Sequence, residues 1–103
     1  MTRPAFDEII HAPLRLQICA LLSPLQEAEF AVLREELSVS DSVLSKHLRQ
    51  LEEASYIAIR KQAANGRQRT WAALTPKGRR AFAGHIAELR RIAALAETRL
   101  AVE

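Results

Sequence analysis

The sequence predicts a mainly α-helical domain with one small β-hairpin, which places it in the α+β class. Residues 30–37 and 40–55 both have the periodicity of amphipathic helices, and only about three residues separate them. Asn65-Gly66 lies between two short apolar segments, a combination typical of a hairpin turn. Residues 76–103 then form a long segment with few helix breakers. Two helices joined by a tight turn and followed by a hairpin make a winged helix-turn-helix, here with a long C-terminal helix.

The composition indicates a single globular domain that spans residues 1–103. Of the 103 residues, 49% are hydrophobic and 26% are charged, values that are ordinary for a folded soluble domain. Only 5% are aromatic, so the core must be built largely from aliphatic side chains. We expect residues 1–5 to be disordered and residues 76–103 to form a helix used for dimerisation.

The first part of the chain predicts one regular helix. Pro13 marks its start, because proline disfavours the α conformation in the preceding residue and suits the first helical turn. We predict that this helix ends at Leu22, before Ser23-Pro24. Phe6 to Ile10 form a shorter apolar patch ahead of the helix, and Ala28 to Phe30 could form a short third strand.

Residues 40–55 have the clearest helical pattern in the chain. Ser40 is a good N-cap and Asp41 suits the positive end of the helix dipole. The apolar residues of the predicted inner face are Val43, Leu44, Leu48 and Leu51, and the outer face carries Ser42, Ser45, Lys46 and Arg49. Small hydroxyls beside cations can bond base edges and phosphates in a major groove, although a merely solvated face would have a similar composition.

A hairpin and a long helix complete the predicted fold. The segments Tyr56–Ile59 and Thr70–Leu74 flank the Asn65-Gly66 turn. Thr75-Pro76 then supplies an N-cap followed by proline at the first helical position. A heptad-like apolar stripe runs along this helix, through Phe82, Ile86, Leu89, Ala93, Ala96 and Leu100. The helix is longer than so small a domain can cover, so we expect a second copy of the chain to pack against its distal half.

The chain resembles a known family over nearly its whole length, from Phe6 to the end. The segments VLREELSVSDSVLSKHLRQLEEASYIAIRK and NGRQRTWAALTPKGRRAF look like the winged-helix transcription regulators of the MarR and ArsR superfamily, most closely the small MarR-like single-domain group. Such proteins usually have glycine where this chain has Ser38 and Ser55. The resemblance implies a homodimeric repressor in which Phe6 and Ile10 help the two subunits meet.

Charge is distributed unevenly along the chain. The net charge is only +3, but no acidic residue occurs between Glu53 and Glu88. That interval contains seven cations, namely Arg60, Lys61, Arg67, Arg69, Lys77, Arg79 and Arg80. Such an asymmetry is expected where a polyanion docks, although cationic hairpins also occur for solubility alone.

Catalytic and metal-binding patterns are weak in this sequence. Asp41, Ser45 and His47 include the residue types of a hydrolytic triad, but residues two apart on a helix point to different sides. His11, His85 and Cys19 are scattered and have no ligand-pair spacing. We therefore predict no enzyme activity, no metal and no cofactor. We interpret Cys19 as a small buried hydrophobic residue, with a redox switch left open.

The predicted function is sequence-specific binding of double-stranded DNA. We expect Ser42, Ser45, Lys46 and Arg49 to enter the major groove, and Ser40 with the helix start to hold a phosphate. Asn65, Arg67 and Arg69 at the tip of the hairpin would reach the adjacent minor groove or backbone, while Trp71 would pack the hairpin onto the body. The alternative is a winged helix that binds another protein and not DNA.

The expected partners are an inverted-repeat DNA site and a second copy of the chain; the sequence identifies no effector. It contains no run of roughly 18 apolar residues and no signal peptide. We therefore expect a cytoplasmic regulator of bacterial type, located at the nucleoid when bound.

Overall fold

The computed structural model describes residues 2–99 and confirms the predicted class. Five helices and three strands follow one another along the chain: α1 (Glu8–His11), α2 (Pro13–Leu22), β1 (Ala28–Glu29), α3 (Phe30–Leu37), α4 (Asp41–Glu53), β2 (Ile57–Ala64), β3 (Arg67–Leu74) and α5 (Pro76–Arg99). The predicted interface residue Leu100 lies outside the described residues.

Helices α3 and α4 form the predicted helix-turn-helix. Helix α3 ends at Ser38, whose φ of 54° is left-handed. Helix α4 is followed by Ser55, with a φ of 65°. At both ends the two backbone N–H groups after the helix donate back to its last-turn carbonyls, as in a Schellman motif; after α4 these bonds are Ser55 to Glu52 and Tyr56 to Leu51, each 2.9 Å. The chain therefore forms the helix-turn-helix with serine at two positions whose left-handed backbone conformation favours glycine.

The three strands form one antiparallel sheet in the order β1-β3-β2. Strands β2 and β3 are joined at Asn65-Gly66, whose φ values of 53° and 74° are those of a type I′ turn. Strand β1 pairs with β3 through Ala28 and Ala72, so the predicted short third strand is confirmed. The hairpin formed by β2 and β3 is the wing.

The core lies between α2, α3, α4 and the inner face of the sheet. It is mostly aliphatic, as the low aromatic content requires, and its fully buried large side chains include Ile18, Leu22, Leu33, Leu44 and Leu51. The wing rests on this core only near its base, where Ile57 and Leu74 are buried as a cross-strand pair. The outer half of the wing therefore projects into solvent.

Helix α5 begins as predicted. The Thr75 hydroxyl oxygen accepts from the backbone N–H of Gly78 at 2.9 Å, and Pro76 takes the first helical position. The 24 residues of the helix extend roughly 36 Å. The radius of gyration is 16.0 Å, compared with about 13 Å for a compact domain of this size. Within residues 2–99, no helix is both long and apolar enough to span a bilayer.

The N-terminal segment differs from expectation in two respects. Residues 2–5, predicted to be disordered, run beside α5, and the backbone N–H of Ala5 donates to the Gly84 carbonyl at 2.9 Å. Ile10, which the resemblance placed at a subunit interface, is 0% exposed and packs in the core of the protomer. It has no free surface for a second subunit, whereas Phe6 is 46% exposed.

Candidate nucleic-acid interface

Helix α4 presents one polar face to solvent. Leu44, Leu48 and Leu51 are buried as predicted, which leaves the opposite side of the helix outermost. Ser42, Lys46 and Arg49 are exposed on that side, and Ser45 is half-buried between it and the wing. The four predicted groove residues thus share one accessible helix face.

The start of α4 is held by its own side chains and by α3. Ser40 accepts from the backbone N–H of Val43 at 3.2 Å, and its hydroxyl lies 3.2 Å from that of Ser42. Arg34 of α3 donates to the Asp41 carboxylate at 2.9 Å, and this bond raises the pKa of the guanidinium further. Arg34 was missed by sequence reasoning, because the pair depends on how α3 and α4 cross. It offsets the negative charge that Asp41 places beside a prospective phosphate.

A groove separates α4 from the wing. Its volume is about 350 Å³, and Ser45 and Arg49 from α4 line it together with Lys61 and Thr70 from the sheet. Glu52 adds one carboxylate at the inner end of the same groove. Lys61 was not among the predicted contact residues, although the cationic run that includes it was noted. Strand alternation could have found it, because Lys61 lies two residues after Ile59, on the face that turns toward the core.

The tip of the wing is cationic, and its two predicted arginines lie on the outer face of the hairpin. Arg67 pairs in register with Ala64, and Arg69 with Gln62. Arg69 also lies 3.8 Å from the Glu29 carboxylate, a loose and largely exposed pair. Asn65, Arg67 and Arg69 are all exposed to solvent. The wing can therefore contact a polyanion through its tip, or through the outer face of the hairpin, which is opposite the groove.

Several other cations of the acid-free interval have partners inside the protomer. Arg60 makes two hydrogen bonds to Glu27, at 2.8 and 3.2 Å, and covers the ring of Trp71 at 5.2 Å. Trp71 consequently lies on the outer face of the sheet and does not pack the wing onto the core. Arg79 donates to two backbone carbonyls at 2.8 and 2.9 Å. Among residues 2–99, no ion pair involves Lys46, Arg49, Lys61 or Arg67, so these four cations of α4 and the wing are available to a polyanion.

Arg15 of α2 supports helix α4 through hydrogen bonds to two of its side chains. Arg15 donates to Nδ1 of His47 at 3.0 Å and to the side-chain oxygen of Gln50 at 2.6 Å. Burial lowers the pKa of His47, and the charges of Arg15 and Lys46 lower it further. His47 therefore stays largely neutral at pH 7 and serves to position the helix.

The arrangement offers no basis for a hydrolytic triad at α4. His47 is bonded to Arg15 and Asp41 to Arg34, so neither side chain is directed at Ser45. Within the described part of the chain, no three His, Cys, Asp or Glu side chains are grouped as a metal site. Cys19 is fully buried, and burial raises the pKa of its thiol to about 12, which makes it unreactive.

Comparisons with known proteins agree with this geometry. A family model described as a winged helix DNA-binding domain matches residues 14–93. An uncharacterized protein of Methanocaldococcus jannaschii is 38% identical over 82 residues, which cover 80% of this chain and 89% of that protein.

Solved structures show the same fold. A transcriptional regulator homologue from Pyrococcus horikoshii superposes with a TM-score of 0.81 at 26% identity, covering 85% of this chain and 87% of the other. The putative transcriptional regulator ytfH from Salmonella typhimurium has a TM-score of 0.71 at 20% identity, over 91% and 83% of the two chains, and supports the fold alone.

Proposed function

Because this chain belongs to the winged helix DNA-binding domain family, we propose that it is a homodimeric transcription repressor that binds a specific double-stranded DNA sequence. The observation that carries the proposal is the position of its available cations. Lys46 and Arg49 on α4 and Lys61 across the groove face solvent on one side of the wing, and Arg67 is exposed on the outer face of the wing near its tip. The sequence contains no acidic residue between Glu53 and Glu88, so the wing carries no carboxylate of its own to oppose a polyanion, although Glu52 of α4 lines the groove.

The exposed face of α4 is the part suited to reading sequence. A helix fits the major groove of B-form DNA, and Ser42, Ser45, Lys46 and Arg49 would meet base edges and flanking phosphates. Ser40 and the first N–H groups of α4 would hold a phosphate, with Arg34 offsetting the charge of Asp41. Asn65, Arg67 and Arg69 would contact the neighbouring backbone or minor groove.

The distal half of α5 supports the proposed dimer. Ile92 and Leu95 are 43% and 51% exposed, and Ala93 and Ala96 are also open to solvent in the protomer. Ile86 and Leu89 are half-buried and continue the same stripe toward the body. Pairing two such helices would remove this apolar surface from water. The DNA site of a two-fold dimer would be an inverted repeat with half-sites roughly 10 base pairs apart.

Repression would follow from occupation of a promoter, and such a protein would act in the cytoplasm at the nucleoid. The competing function is protein binding through the same fold, with the cationic surface merely solvated. DNA-binding measurements separate the two functions.

The experiment that tests DNA binding compares mutants of α4 with mutants of the wing. After the operator is selected from genomic fragments, Ser45→Ala and Arg49→Ala should relax preference at particular base pairs, each by about 1–3 kcal/mol. Arg67→Ala should weaken operator and scrambled duplex alike, and should lower the salt slope by about 0.9 for each phosphate that is no longer neutralised. Titrations by fluorescence anisotropy at several salt concentrations give both quantities.

Arg91→Ala is the matched control for loss of one positive charge. Arg91 is exposed on α5 and pairs with Glu88 at 2.7 Å, away from α4 and the wing, so its removal should leave affinity and salt slope nearly unchanged. If the wing mutant loses only operator preference, the roles of the two elements are reversed. If neither set of mutants alters binding, the protein-binding alternative is favoured.

The dimer is tested by substitutions at two adjacent alanines of α5. Ala93→Glu places a charge in the apolar stripe and should produce monomers, because an unpaired charge in an apolar seam is costly. Ala94→Glu adds the same charge about 100° around the helix, outside the apolar stripe, and should leave the dimer intact. Sedimentation velocity distinguishes them, and an unchanged dimer for Ala93→Glu would contradict the assignment.

A further inference from the structure

A buried polar network joins the N-terminal segment to α5 and has no part in DNA contact. We call residues 2–7 the strap. His85 of α5 is 0% exposed, and its Nδ1 accepts from the backbone N–H of Asp7 at 3.0 Å. Its Nε2 lies 3.1 Å from Nδ1 of His11 in α1. The Phe6 ring packs on both imidazoles, with centroid distances of 4.7 and 4.8 Å.

The backbone of Asp7 determines where the imidazole protons lie. A backbone N–H can only donate, so Nδ1 of His85 carries no proton and its Nε2 must carry one. That Nε2–H donates to Nδ1 of His11, which in turn carries its own proton on Nε2. The His85 ring is therefore neutral in this arrangement.

Both ring nitrogens of His85 are already hydrogen-bonded, so an added proton cannot be accommodated without breaking a bond. An imidazolium has two N–H donors and no acceptor. If His85 gains the proton, its new Nδ1–H faces the N–H of Asp7. Protonation of His85 therefore breaks the hydrogen bond that holds the strap to α5.

The charged groups around His85 determine the pH range in which it is protonated. Burial lowers the pKa of His85 and the neighbouring His11 lowers it further, while the carboxylates of Asp7 and Glu88 act in the opposite direction. Asp7 accepts from the Tyr56 hydroxyl and from the backbone N–H of Ile10.

The more distant groups are already engaged or uncharged. Glu88 is bound by Arg91, and Arg15 donates to His47 and Gln50. The buried Cys19 thiol, on which the charges of Asp7 and Arg15 both act, is uncharged because its pKa is raised to about 12. His85 is therefore neutral at pH 7. Because its folded-state pKa lies below its ordinary value of 6.5, the strapped form loses stability as the pH falls below 6.5.

We propose that His85, hydrogen-bonded between Asp7 and His11, is an acid-sensitive latch whose protonation detaches the strap from α5 while the rest of the domain stays folded. Within the described residues, the strap is held to α5 by the bond from the Ala5 N–H to the Gly84 carbonyl, the bond from the Asp7 N–H to His85, and the half-exposed Phe6 ring. The Asp7 carboxylate also accepts from the Tyr56 hydroxyl and the Ile10 N–H, so the end of the strap stays joined to α1. The Ile10 side chain stays in the core and retains α1.

The latch also affects the proposed dimer, and this consequence rests on the proposed function. The strap crosses α5 at Gly84 and His85, next to the half-buried residue Ile86 of the apolar stripe. Releasing the strap loosens α5 on the DNA-binding unit, so the spacing of the two α4 helices in the dimer is no longer held. Acid should therefore lower affinity for the operator.

The latch is tested by nuclear magnetic resonance on the full chain without DNA. Imidazole ¹⁵N shifts at pH 7.5 should show an unprotonated Nδ1 and a protonated Nε2 in His85. Between pH 7.5 and 5, exchange protection of the Ala5 and Asp7 amides should fall roughly tenfold or more relative to an unstructured peptide, while that of Leu48 is retained. A proton on Nδ1 at pH 7.5, or strap protection that is independent of pH, would overturn the proposal.

Two variants sharpen the test. His85→Gln keeps one acceptor and one donor but cannot be protonated, so strap protection should no longer depend on pH in this range. His47→Gln removes another histidine of lowered pKa, near α1 but outside the latch, and should leave the pH response unchanged. If His47→Gln abolished the pH response, the assignment of that response to His85 would be wrong. If His85→Gln folds poorly, the wild-type ¹⁵N shifts still test the proposed proton positions in His85.

Separate titrations with operator DNA test the consequence for binding. Wild-type affinity should fall at least about threefold between pH 7.5 and 5.5, a change of roughly 0.65 kcal/mol, relative to His85→Gln. Equal changes in both proteins would refute the link to DNA. Failure of both to bind at pH 7.5 would refute the proposed function alone, because the strap measurements do not involve DNA.

Discussion

Replacing Ser55 by glycine should raise the free energy of unfolding of this domain. Ser55 has a φ of 65°, and an L-residue in the left-handed region costs roughly 1–2 kcal/mol. Glycine avoids that cost but loses about 0.5–1 kcal/mol more conformational entropy on folding. The net stabilisation expected for Ser55→Gly is therefore about 0.5–1 kcal/mol. Ser38, with a φ of 54°, should behave in the same way.

The substitution leaves the local hydrogen bonds intact, because they use the backbone. The N–H of Ser55 donates to the Glu52 carbonyl at 2.9 Å, and the Ser55 carbonyl accepts from the Thr75 hydroxyl at 2.7 Å. The Ser55 residue itself is exposed, so its side chain contributes little packing. The backbone terms therefore dominate the predicted change.

Urea unfolding at one fixed protein concentration measures this effect, since dimerisation would otherwise change the apparent stability. A gain of 1 kcal/mol corresponds to roughly 4–8 °C in Tm for a domain of about this size. Ser45→Gly is the matched control: Ser45 lies within α4, where glycine should destabilise by about 0.5 kcal/mol. Destabilisation by Ser55→Gly, or equal effects at both positions, would refute the reasoning.

Two further substitutions and one chemical treatment test the packing. Gly78→Ala would bring a Cβ to within 2.0 Å of the Tyr56 carbonyl oxygen and should cost about 1–3 kcal/mol in thermal unfolding. Gly84→Ala, whose Cβ would lie 3.3 Å from the Arg3 carbonyl oxygen, should cost visibly less. The native Cys19 thiol, with its pKa raised to about 12, should resist alkylation at pH 8 until urea unfolds the chain. Rapid labelling of the folded protein would show that the thiol is accessible.

Most of the elements could be predicted from the sequence, because their ends depend on local interactions. Ser40 and Thr75 cap helices by bonding N–H groups three residues ahead, and Asn65-Gly66 supplies two positive φ values. The buried face of α4 follows from its period. These features need no knowledge of distant parts of the chain.

The use of each charged or polar side chain was decided by the tertiary structure. Arg60 is engaged by Glu27, which is 33 residues away, while Lys61 beside it faces the groove. A composition count cannot separate these two cations, because their roles depend on the face of the strand and on what packs against it.

The same reason explains the histidine pair and the correction at Ile10. His11 and His85 are 74 residues apart in the chain and meet only where α1 lies against α5. The apolar pattern of residues 6–10 shows that Ile10 avoids water, but not whether a second subunit or the core of its own protomer covers it. Burial depends on the packed partner, and that partner is distant in sequence.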